Sequence, residues 1–170
     1  SMQRIFEAAH EKVWWADKDG GVCCGRPLML SGETDAARKM VAYNTDLFRK
    51  HDIKTIVTSC PICLRVFREE YHLEDIEILH HSEYIDCLIA EQRLCLNADT
   101  TKYSYHGPCE HGRGLGVYDA PRRVVECVGV LCEPEHNRRD ALCCGASLAN
   151  TVIDDAQQQR IAKRMTREFE

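Results

Sequence analysis

The chain has 170 residues, of which 44% are hydrophobic, enough to bury a core of ordinary size. Its net charge of −5 and its aromatic fraction of 7% exclude the basic surface and the stacking side chains of a nucleic-acid-binding protein. It has no apolar run of the roughly 18–20 residues that a membrane span requires, and its first residues, SMQRIFEAAHEKVWW, lack the features of a signal peptide. We therefore expect a cytoplasmic protein.

The first half of the chain predicts a helix, a strand and a second helix. Residues 33–50 carry apolar side chains at helical spacing, and Ser31 is available to cap this helix. Residues 53–59, IKTIVTS, form a β-branched run typical of a buried strand, which leads directly into Cys-Pro-Ile-Cys at 60–63. Pro61 suits the first turn of the helix expected next.

The same alternation continues to the end of the chain. Further strands are predicted at 76–81, 102–107 and 129–135, and further helices at 83–94 after a Ser82 cap, at 120–128 and at 149–169. Alternating strands and helices predict an α/β fold, with a mainly parallel sheet covered by helices on both faces. Two pseudo-repeated lobes are expected, 2–97 and 98–170, because NADTT at 97–101 is the best candidate for a boundary.

Eleven cysteines, an odd number, argue against a closed disulfide framework and favour metal or redox chemistry. Four of them stand alone in the sequence and are expected to be small buried apolar side chains, namely Cys87, Cys95, Cys127 and Cys132. The other seven belong to short motifs and need a common explanation; they are Cys23, Cys24, Cys60, Cys63, Cys109, Cys143 and Cys144.

Cys-Cys-Gly occurs twice, at 23–25 and at 143–145, with an offset of 120 residues. At this offset, the counterparts of Cys60, Cys63 and Cys109 fall beyond the two ends of the chain. A complete unit would read one cysteine, then Cys-Cys-Gly, then Cys-Pro-x-Cys. We therefore expect the first lobe to lack its upstream cysteine and the second to lack its downstream Cys-Pro-x-Cys.

Adjacent cysteines restrict the kind of metal site. Neighbouring residues of an extended strand point to opposite sides, so two vicinal thiolates serve one centre only where the backbone turns, which the following glycine permits. Two adjacent sulfurs suit a centre with several metal atoms better than a single ion, and this favours an iron-sulfur cluster. A tetrahedral zinc site and a metal-free dithiol pair remain alternatives.

Four stretches closely resemble the cysteine-rich CCG domain of heterodisulfide reductase subunits: GVCCGRPLMLSG, VTSCPIC, YSYHGPCEHGRGLGVYDAPRRVVE and ALCCGAS. The resemblance extends from about Val22 to Ala149. Related domains occur in the iron-sulfur subunit of glycolate oxidase, in lactate-utilisation proteins and in anaerobic glycerol-3-phosphate dehydrogenase. In this family two units normally stand in tandem, each with five motif cysteines. In heterodisulfide reductase they hold noncubane [4Fe-4S] clusters at which a disulfide is reduced, and in other members a unit carries zinc.

The resemblance implies a ligand set for each unit. In the first unit the ligands are Cys23, Cys24, Cys60 and Cys63, and in the second they are Cys109, Cys143 and Cys144. A permuted site, which joins Cys60 and Cys63 to the three later cysteines, is an alternative. The departure from the family's five cysteines makes this chain look like a fragment that is inactive alone.

His106 precedes Cys109 in the motif HGPC, where the resemblance places a histidine beside a cluster cysteine. It is expected to donate a hydrogen bond to a cluster sulfur or to deliver a proton to a departing thiolate. The alternative is a histidine that ties its loop to a backbone carbonyl. The other histidines near the motifs, His80, His81 and His111, are expected in solvent or in loops.

The expected function is that of an iron-sulfur electron-transfer domain in an oxidoreductase complex. Such a domain passes electrons between a flavoprotein or ferredoxin-like partner and a thiol/disulfide or quinone-side acceptor, and it reaches a membrane only through partner subunits. The runners-up are a structural zinc scaffold and a metal-free dithiol oxidoreductase.

Overall fold

The computed structural model describes residues 1–18, 20–146 and 153–170, and these residues divide into two compact units, Ser1–Leu96 and Asn97–Glu170. We call them unit 1 and unit 2. Within the described residues, no helix combines the length and the apolar character that a bilayer crossing would demand.

Unit 1 has two parallel strands and five α-helices among its described residues. The strands are β1 (Thr55–Thr58) and β2 (Glu77–His80), paired so that Thr55 lies opposite Glu77. The helices are α1 (Met2–Ala8), α2 (Arg26–Leu30), α3 (Thr34–Lys50), α4 (Pro61–Glu69) and α5 (His81–Ala90). Both α4 and α5 pack against the two strands, and the short helix α2 packs against α3 and α4.

The hydrophobic core of unit 1 lies directly behind the Cys-Pro-Ile-Cys motif. Val66 on α4 packs with Phe48 from the end of α3, and both are buried. Cys24 belongs to the same core cluster. The first Cys-Cys-Gly is therefore fixed to the core through one of its two cysteines.

Unit 2 repeats this plan on a smaller scale. Its strands are β3 (Lys102–Tyr103) and β4 (Val130–Leu131), which are parallel with Lys102 opposite Val130. Its helices are α6 (Gly112–Leu115), α7 (Asp119–Glu126) and α8 (Asp155–Thr166), of which α7 packs against β4.

The prediction of an α/β fold with parallel strands is confirmed, although each unit has its own two-stranded sheet. The strands of unit 2 are shorter than predicted. After Cys132, whose amide still donates to the Tyr103 carbonyl, Pro134 has no N–H with which to extend the ladder.

Several helix starts differ from the sequence prediction. Ser31 does not cap α3; its hydroxyl donates to the Leu28 carbonyl at the end of α2, a helix the sequence did not predict. The α5 helix begins at His81 because the His80 ring, not Ser82, accepts from a first-turn amide.

The long C-terminal helix also begins later than predicted. It starts after Asp154, whose carboxylate accepts from the Gln157 amide in a capping box. Of the predicted range 149–169, residues 149–152 lie outside the described part of the chain.

Candidate metal centre

Cys60 and Cys63 lie at the start of α4, where the chain leaves β1. Cys60 has extended backbone angles (φ −104°, ψ 117°) and occupies the N-cap position, with Pro61 in the first turn. Its amide donates to the Thr58 hydroxyl over 3.2 Å. Because residues three apart on a helix share a side, Cys63 follows Cys60 on the same side of α4.

The first Cys-Cys-Gly forms a turn before α2. Gly25 has φ 95°, the left-handed region that favours glycine over residues with a side chain. This turn places the Arg26 amide, at the start of α2, in hydrogen-bonding contact with the Cys24 sulfur. The vicinal cysteines are thus held on a curled backbone rather than on an extended strand.

The two cysteine motifs of unit 1 meet through Cys24 and Cys63. The Cys63 thiol hydrogen-bonds to the Cys24 sulfur, and each of these two residues also interacts with its own motif partner, Cys60 or Cys23. Their exposure is graded: Cys24 is buried, Cys60 and Cys63 are half-buried, and Cys23 is exposed. The cluster of sulfurs is therefore anchored in the core at one end and open at the other.

The contact between Cys24 and Cys63 shifts the pKa values of the two thiols in opposite directions. The hydrogen bond from Cys63, assisted by the Arg26 amide and opposed by burial, lowers the pKa of Cys24 to about 6. The same contact, together with burial and the charges of Cys24 and Cys60, raises the pKa of Cys63. The pair therefore loses one proton readily and keeps the second, so that one thiolate is present at neutral pH.

A buried polar pair holds the Cys-Cys-Gly turn from behind. The Asn44 side-chain oxygen accepts from the Val22 amide over 3.1 Å, and its nitrogen lies 3.2 Å from the carbonyl oxygens of both Val22 and Cys23. The same nitrogen donates to the Tyr71 hydroxyl over 2.9 Å, and that hydroxyl donates to the Cys24 carbonyl over 3.2 Å. Asn44 and Tyr71 thus supply partners for three successive backbone carbonyls.

Burial raises the pKa of Tyr71 to about 12, a rise that the hydrogen bond from Asn44 opposes and the nearby cysteine charges increase, so its hydroxyl remains a donor at neutral pH. Sequence reasoning missed this pair. The available signal was Asn44 itself, since Ala37, Asn44 and Phe48 lie seven and four residues apart on the buried side of α3. A polar residue within an apolar helix stripe requires a hydrogen-bonding partner.

Unit 2 brings together two of its three motif cysteines. Burial raises the pKa of Cys109, and the neighbouring charges of Cys143 and Glu110 raise it further, whereas Arg113 lowers it. Cys109 and Cys144 are half-buried and Cys143 is exposed. Cys109 and Cys143 are close enough to interact electrostatically, which places the HGPC loop near the second Cys-Cys-Gly.

Two side chains brace the loop that leads into Cys143. His106 Nε2 lies 3.0 Å from the Leu142 carbonyl, so this nitrogen carries the proton and donates. Arg113 Nη1 donates to the Ala141 carbonyl over 2.6 Å. His106 therefore makes the carbonyl contact that the sequence analysis kept as its alternative role.

The second Cys-Cys-Gly turn repeats the geometry of the first. Gly145 has φ 78°, and its amide lies 3.4 Å from the Cys143 sulfur. Gln158 on α8 donates to the Gly145 carbonyl over 3.0 Å. In both units the glycine packs against the next long helix, through Met40 of α3 and through Ile161 of α8.

Several expectations about the other polar residues are wrong. His111 is fully buried and His80 is buried at the start of α5, while burial lowers the pKa of the half-buried His81. Arg122 is 3% exposed, pairs with Glu133 and donates to the Tyr118 carbonyl over 2.7 Å. Arg122 and His80 thus act as hydrogen-bonding groups inside their units.

The isolated cysteines also differ from expectation. They were expected to be buried, but Cys87 and Cys95 are exposed, and Cys127 and Cys132 are half-buried. A cysteine outside any motif is therefore not necessarily a core residue. Cys87 lies on the outer side of α5, whereas Ile85 and Leu88 of the same helix fill the core.

Among the described side chains, one group of three places all its metal-ligating atoms mutually close, and no three cysteine sulfurs do so. Glu135, His136 and Glu168 place one ligand atom each within 4.8 Å of one another. His136 Nδ1 is engaged with Glu168 over 2.9 Å. This group contains no sulfur and is not one of the sequence-predicted ligand sets.

The sequence matches one known family twice, over residues 1–68 and 103–170; its description is CCG, cysteine-rich domain. Each match covers one Cys-Cys-Gly and the cysteine motif of the same unit. No solved structure matches the chain significantly.

Individual relatives are similar over about three quarters of the chain. An EtfAB:quinone oxidoreductase of Syntrophomonas wolfei is 31% identical over 73% of this chain and 18% of its own length. One subunit of the dihydromethanophenazine:CoB–CoM heterodisulfide reductase of Methanosarcina mazei is 30% identical over 73% of this chain and 33% of its own length. One subunit of the CoM/CoB fumarate reductase of Methanothermobacter marburgensis is 29% identical, over 75% of this chain and 26% of its own length. The chain thus spans a third or less of these relatives.

Replacing Asn44 by alanine should weaken metal binding by unit 1. Without Asn44 the carbonyls of the Cys-Cys-Gly turn lose their buried donor, and loss of such an outer partner costs about 10- to 100-fold in metal affinity. The measurement is a Co²⁺ titration of the reduced, metal-free chain, followed by thiolate-to-cobalt absorption. Asn97→Ala, at an exposed position, is the matched control and should bind as the unsubstituted chain does. Equal affinities for the two variants would contradict this role of Asn44.

The lowered pKa of Cys24 predicts early thiolate formation. As the pH rises through about 6, absorbance at 240 nm of the reduced, metal-free chain should increase by the equivalent of one thiolate. Cys63→Ala should move this step to higher pH because it removes the donor to Cys24, whereas Cys95→Ala should leave it unchanged. A first ionisation near the ordinary cysteine value of about 8.5 would show that the two thiols are not in contact.

Proposed function

This chain belongs to the cysteine-rich CCG domain family, and we propose that it binds iron-sulfur clusters and transfers electrons within a larger oxidoreductase complex. The observation that carries the proposal is the contact between Cys24 and Cys63, which joins the Cys-Cys-Gly turn to the cysteine pair at the start of α4. It is supported by the relatives, whose names describe oxidoreductases and subunits of heterodisulfide and fumarate reductases.

The donor set of unit 1 fits an iron-sulfur cluster. It consists of sulfur alone, and thiolates are the ligands that such clusters take. Cys24 presents a sulfur that is already deprotonated at neutral pH, while Cys63 releases its proton when it becomes a ligand. Amides at the starts of α2 and α4 lie beside this anionic site and favour negative charge there.

When bound, a cluster supplies one-electron transfer, and the chain's residues determine where the cluster lies and how it is shielded. Buried Cys24 would hold such a cluster next to the core, and exposed Cys23 would hold it on the side open to an electron partner. Asn44 and Tyr71 keep the turn in place, so that the two vicinal sulfurs do not shift when the charge changes.

We propose a noncubane [4Fe-4S] cluster as the specific type in unit 1, since the vicinal pair in the turn and the pair on α4 offer sulfurs to several irons at once. Unit 2 would use Cys109, Cys143 and Cys144 for a second centre. This assignment gives each unit its own ligands, in place of the permuted set. The electron partners would be a flavoprotein or ferredoxin-like module and a thiol/disulfide or quinone-side acceptor.

His106 is proposed to act at the centre of unit 2. Its Nε2 holds the Leu142 carbonyl and so positions the loop that carries Cys143. Nδ1 is the ring nitrogen left to hydrogen-bond a cluster sulfur or to deliver a proton to a departing thiolate.

One observation favours a metal-free dithiol as a second candidate. Cys24 and Cys63 form a hydrogen-bonded pair of a thiolate and a thiol, the combination that thiol–disulfide exchange requires. Such exchange also requires access, and Cys24 is 5% exposed. The burial of its more acidic sulfur makes this candidate weaker than metal binding.

Anaerobic reconstitution with iron and sulfide tests the proposal. The chain should turn brown and bind several irons with matching sulfide, and the reduced form should give an electron paramagnetic resonance signal. Cys63→Ser should lose the iron of unit 1 because it removes the ligand that contacts both motifs. Cys87→Ser, an exposed cysteine outside the motifs, should keep the full content.

Other outcomes separate the alternatives. Stoichiometric zinc without sulfide would support the scaffold. A chain that binds no metal and yet catalyses thiol–disulfide exchange, with loss of exchange in Cys24→Ser, would support the dithiol. Either result would contradict the iron-sulfur proposal.

Two substitutions separate the positioning role of His106 from its protonic role. His106→Gln keeps an amide that can donate to Leu142, so unit 2 should retain its iron, but the pH dependence of its reduction potential should disappear. His106→Ala should lose iron as well, because the loop before Cys143 is no longer tied. Equal iron loss in both variants, or an unchanged pH dependence in His106→Gln, would contradict proton delivery.

A further inference from the structure

Unit 1 contains a large cavity beside its sheet. Its volume is about 980 Å³, at the upper end of the roughly 300–1,000 Å³ of ligand pockets. Two stretches of chain form most of its wall, residues 11–17 and residues 51–60. At one end the wall includes Cys60, and this cysteine alone connects the cavity with the candidate ligands of unit 1.

The wall formed by β1 is the edge of a strand. Residues 53–60 line the cavity without a gap, whereas a strand that turned one face to a cavity would line it with alternate residues. The Glu77 amide of β2 donates to the Lys54 carbonyl. Since backbone groups alternate in direction along a strand, Thr55 and Val57 turn their N–H and C=O groups away from β2, toward the cavity.

The opposite wall includes a second segment that belongs to no strand. Residues 11–15 have no regular secondary structure. Within this segment the Trp14 indole nitrogen is buried and has no hydrogen-bond partner among the described residues. A buried N–H donor of this kind requires an acceptor, and a strand carbonyl is one.

In unit 2 a strand occupies the position that corresponds to the cavity of unit 1. The two units also align in sequence before their Cys-Cys-Gly motifs. At an offset of 119, Arg4-Ile5-Phe6-Glu7 in α1 matches Arg123-Val124-Val125-Glu126 in α7, and the same offset aligns residues 11–12 with β4. In unit 2, the Val130 amide donates to the Thr101 carbonyl over 2.9 Å and the Cys132 amide donates to the Tyr103 carbonyl over 2.7 Å. The neighbour of β4 is therefore β3, and the equivalent neighbour of residues 11–12 would lie in the cavity.

We infer that this cavity is an acceptor groove for an extended polypeptide strand that pairs with the free edge of β1. The sequence of this strand and of the loop after it resembles the sequence of β3 and its loop. The backbone groups of Thr55 and Val57 provide the ladder, and residues 11–15 flank the strand on its other side. An added strand of this kind is a known mode of peptide recognition. It would also cover a strand edge that is otherwise available for unwanted pairing.

The occupant is argued from unit 2. There β3 runs into His106, Gly107, Pro108 and Cys109, so a strand of this type ends in a cysteine. In the groove of unit 1, a strand parallel to β1 would end beside Cys60, which lies two residues after the end of β1. Strand docking stands without any metal; the further step, that the arriving cysteine joins the ligand set of unit 1, rests on the proposed function.

A synthetic peptide with the sequence of residues 101–112, TKYSYHGPCEHG, tests the docking step. It is added to the full chain, reduced and metal-free, and binding is followed by calorimetry and by hydrogen exchange. We expect saturable binding with increased amide protection at residues 53–60 and 11–15. A peptide with Ser104→Pro should bind at least about tenfold more weakly because proline cannot donate to a ladder, whereas Ser104→Ala should bind as the parent does.

Absence of binding, equal binding of the proline and alanine peptides, or protection confined to other residues would overturn the groove. So would a stable dimer of the chain that already protects 53–60 and is not dissociated by the peptide, since a second copy would then be the occupant. The Trp14→Phe variant adds a test that leaves both strands intact, because loss of the indole N–H should weaken peptide binding.

A second arm separates docking from ligation. The parent peptide should increase the Co²⁺ affinity of the chain, and a peptide with Cys109→Ser should dock equally well without this increase. If both peptides dock and neither changes Co²⁺ affinity, the groove stands and the delivery of a cysteine is refuted.

Discussion

The carbonyl groups of the first Cys-Cys-Gly turn impose the constraint on which unit 1 depends. A turn tight enough to bring vicinal sulfurs to one side also turns Val22, Cys23 and Cys24 carbonyls inward, where each unpaired group would cost about 1–3 kcal/mol. Asn44 and Tyr71 supply the missing donors from α3 and from the loop after α4. The same hydrogen bonds that satisfy the backbone therefore hold the sulfurs toward Cys63.

The two units solve this problem with the same backbone and different side chains. Each turn has a glycine with positive φ, packed against the next long helix. In unit 2 the tethering groups come from Gln158 on α8 and from His106 and Arg113, which hold the segment before Cys143. The two turns thus have the same shape, whereas different side chains donate the hydrogen bonds that support them.

The sequence predicted the class of fold and the alternation of strands with the longer helices, because these follow from periodicity, whereas the short helices α1, α2 and α6 were not predicted. That the cysteines of the two motifs of unit 1 share one centre stays a prediction. The tethering residues were missed, since a hydrogen bond between Asn44 and a turn some twenty residues earlier depends on how α3 packs. For the same reason the exposure of Cys87 was mispredicted. It depends on which side of α5 faces the core, and a chemically typical residue does not reveal that side.

The central claim is that the sulfurs of Cys23, Cys24, Cys60 and Cys63 together bind a cluster of several irons. X-ray absorption at the iron edge tests it most directly, on chain purified without exposure to air and carrying Cys109→Ser, Cys143→Ser and Cys144→Ser, so that the motif ligands of unit 1 alone remain. We expect a first shell of sulfur around iron and a second shell of iron at short distance. A first shell of nitrogen or oxygen, or iron atoms without an iron neighbour, would contradict it.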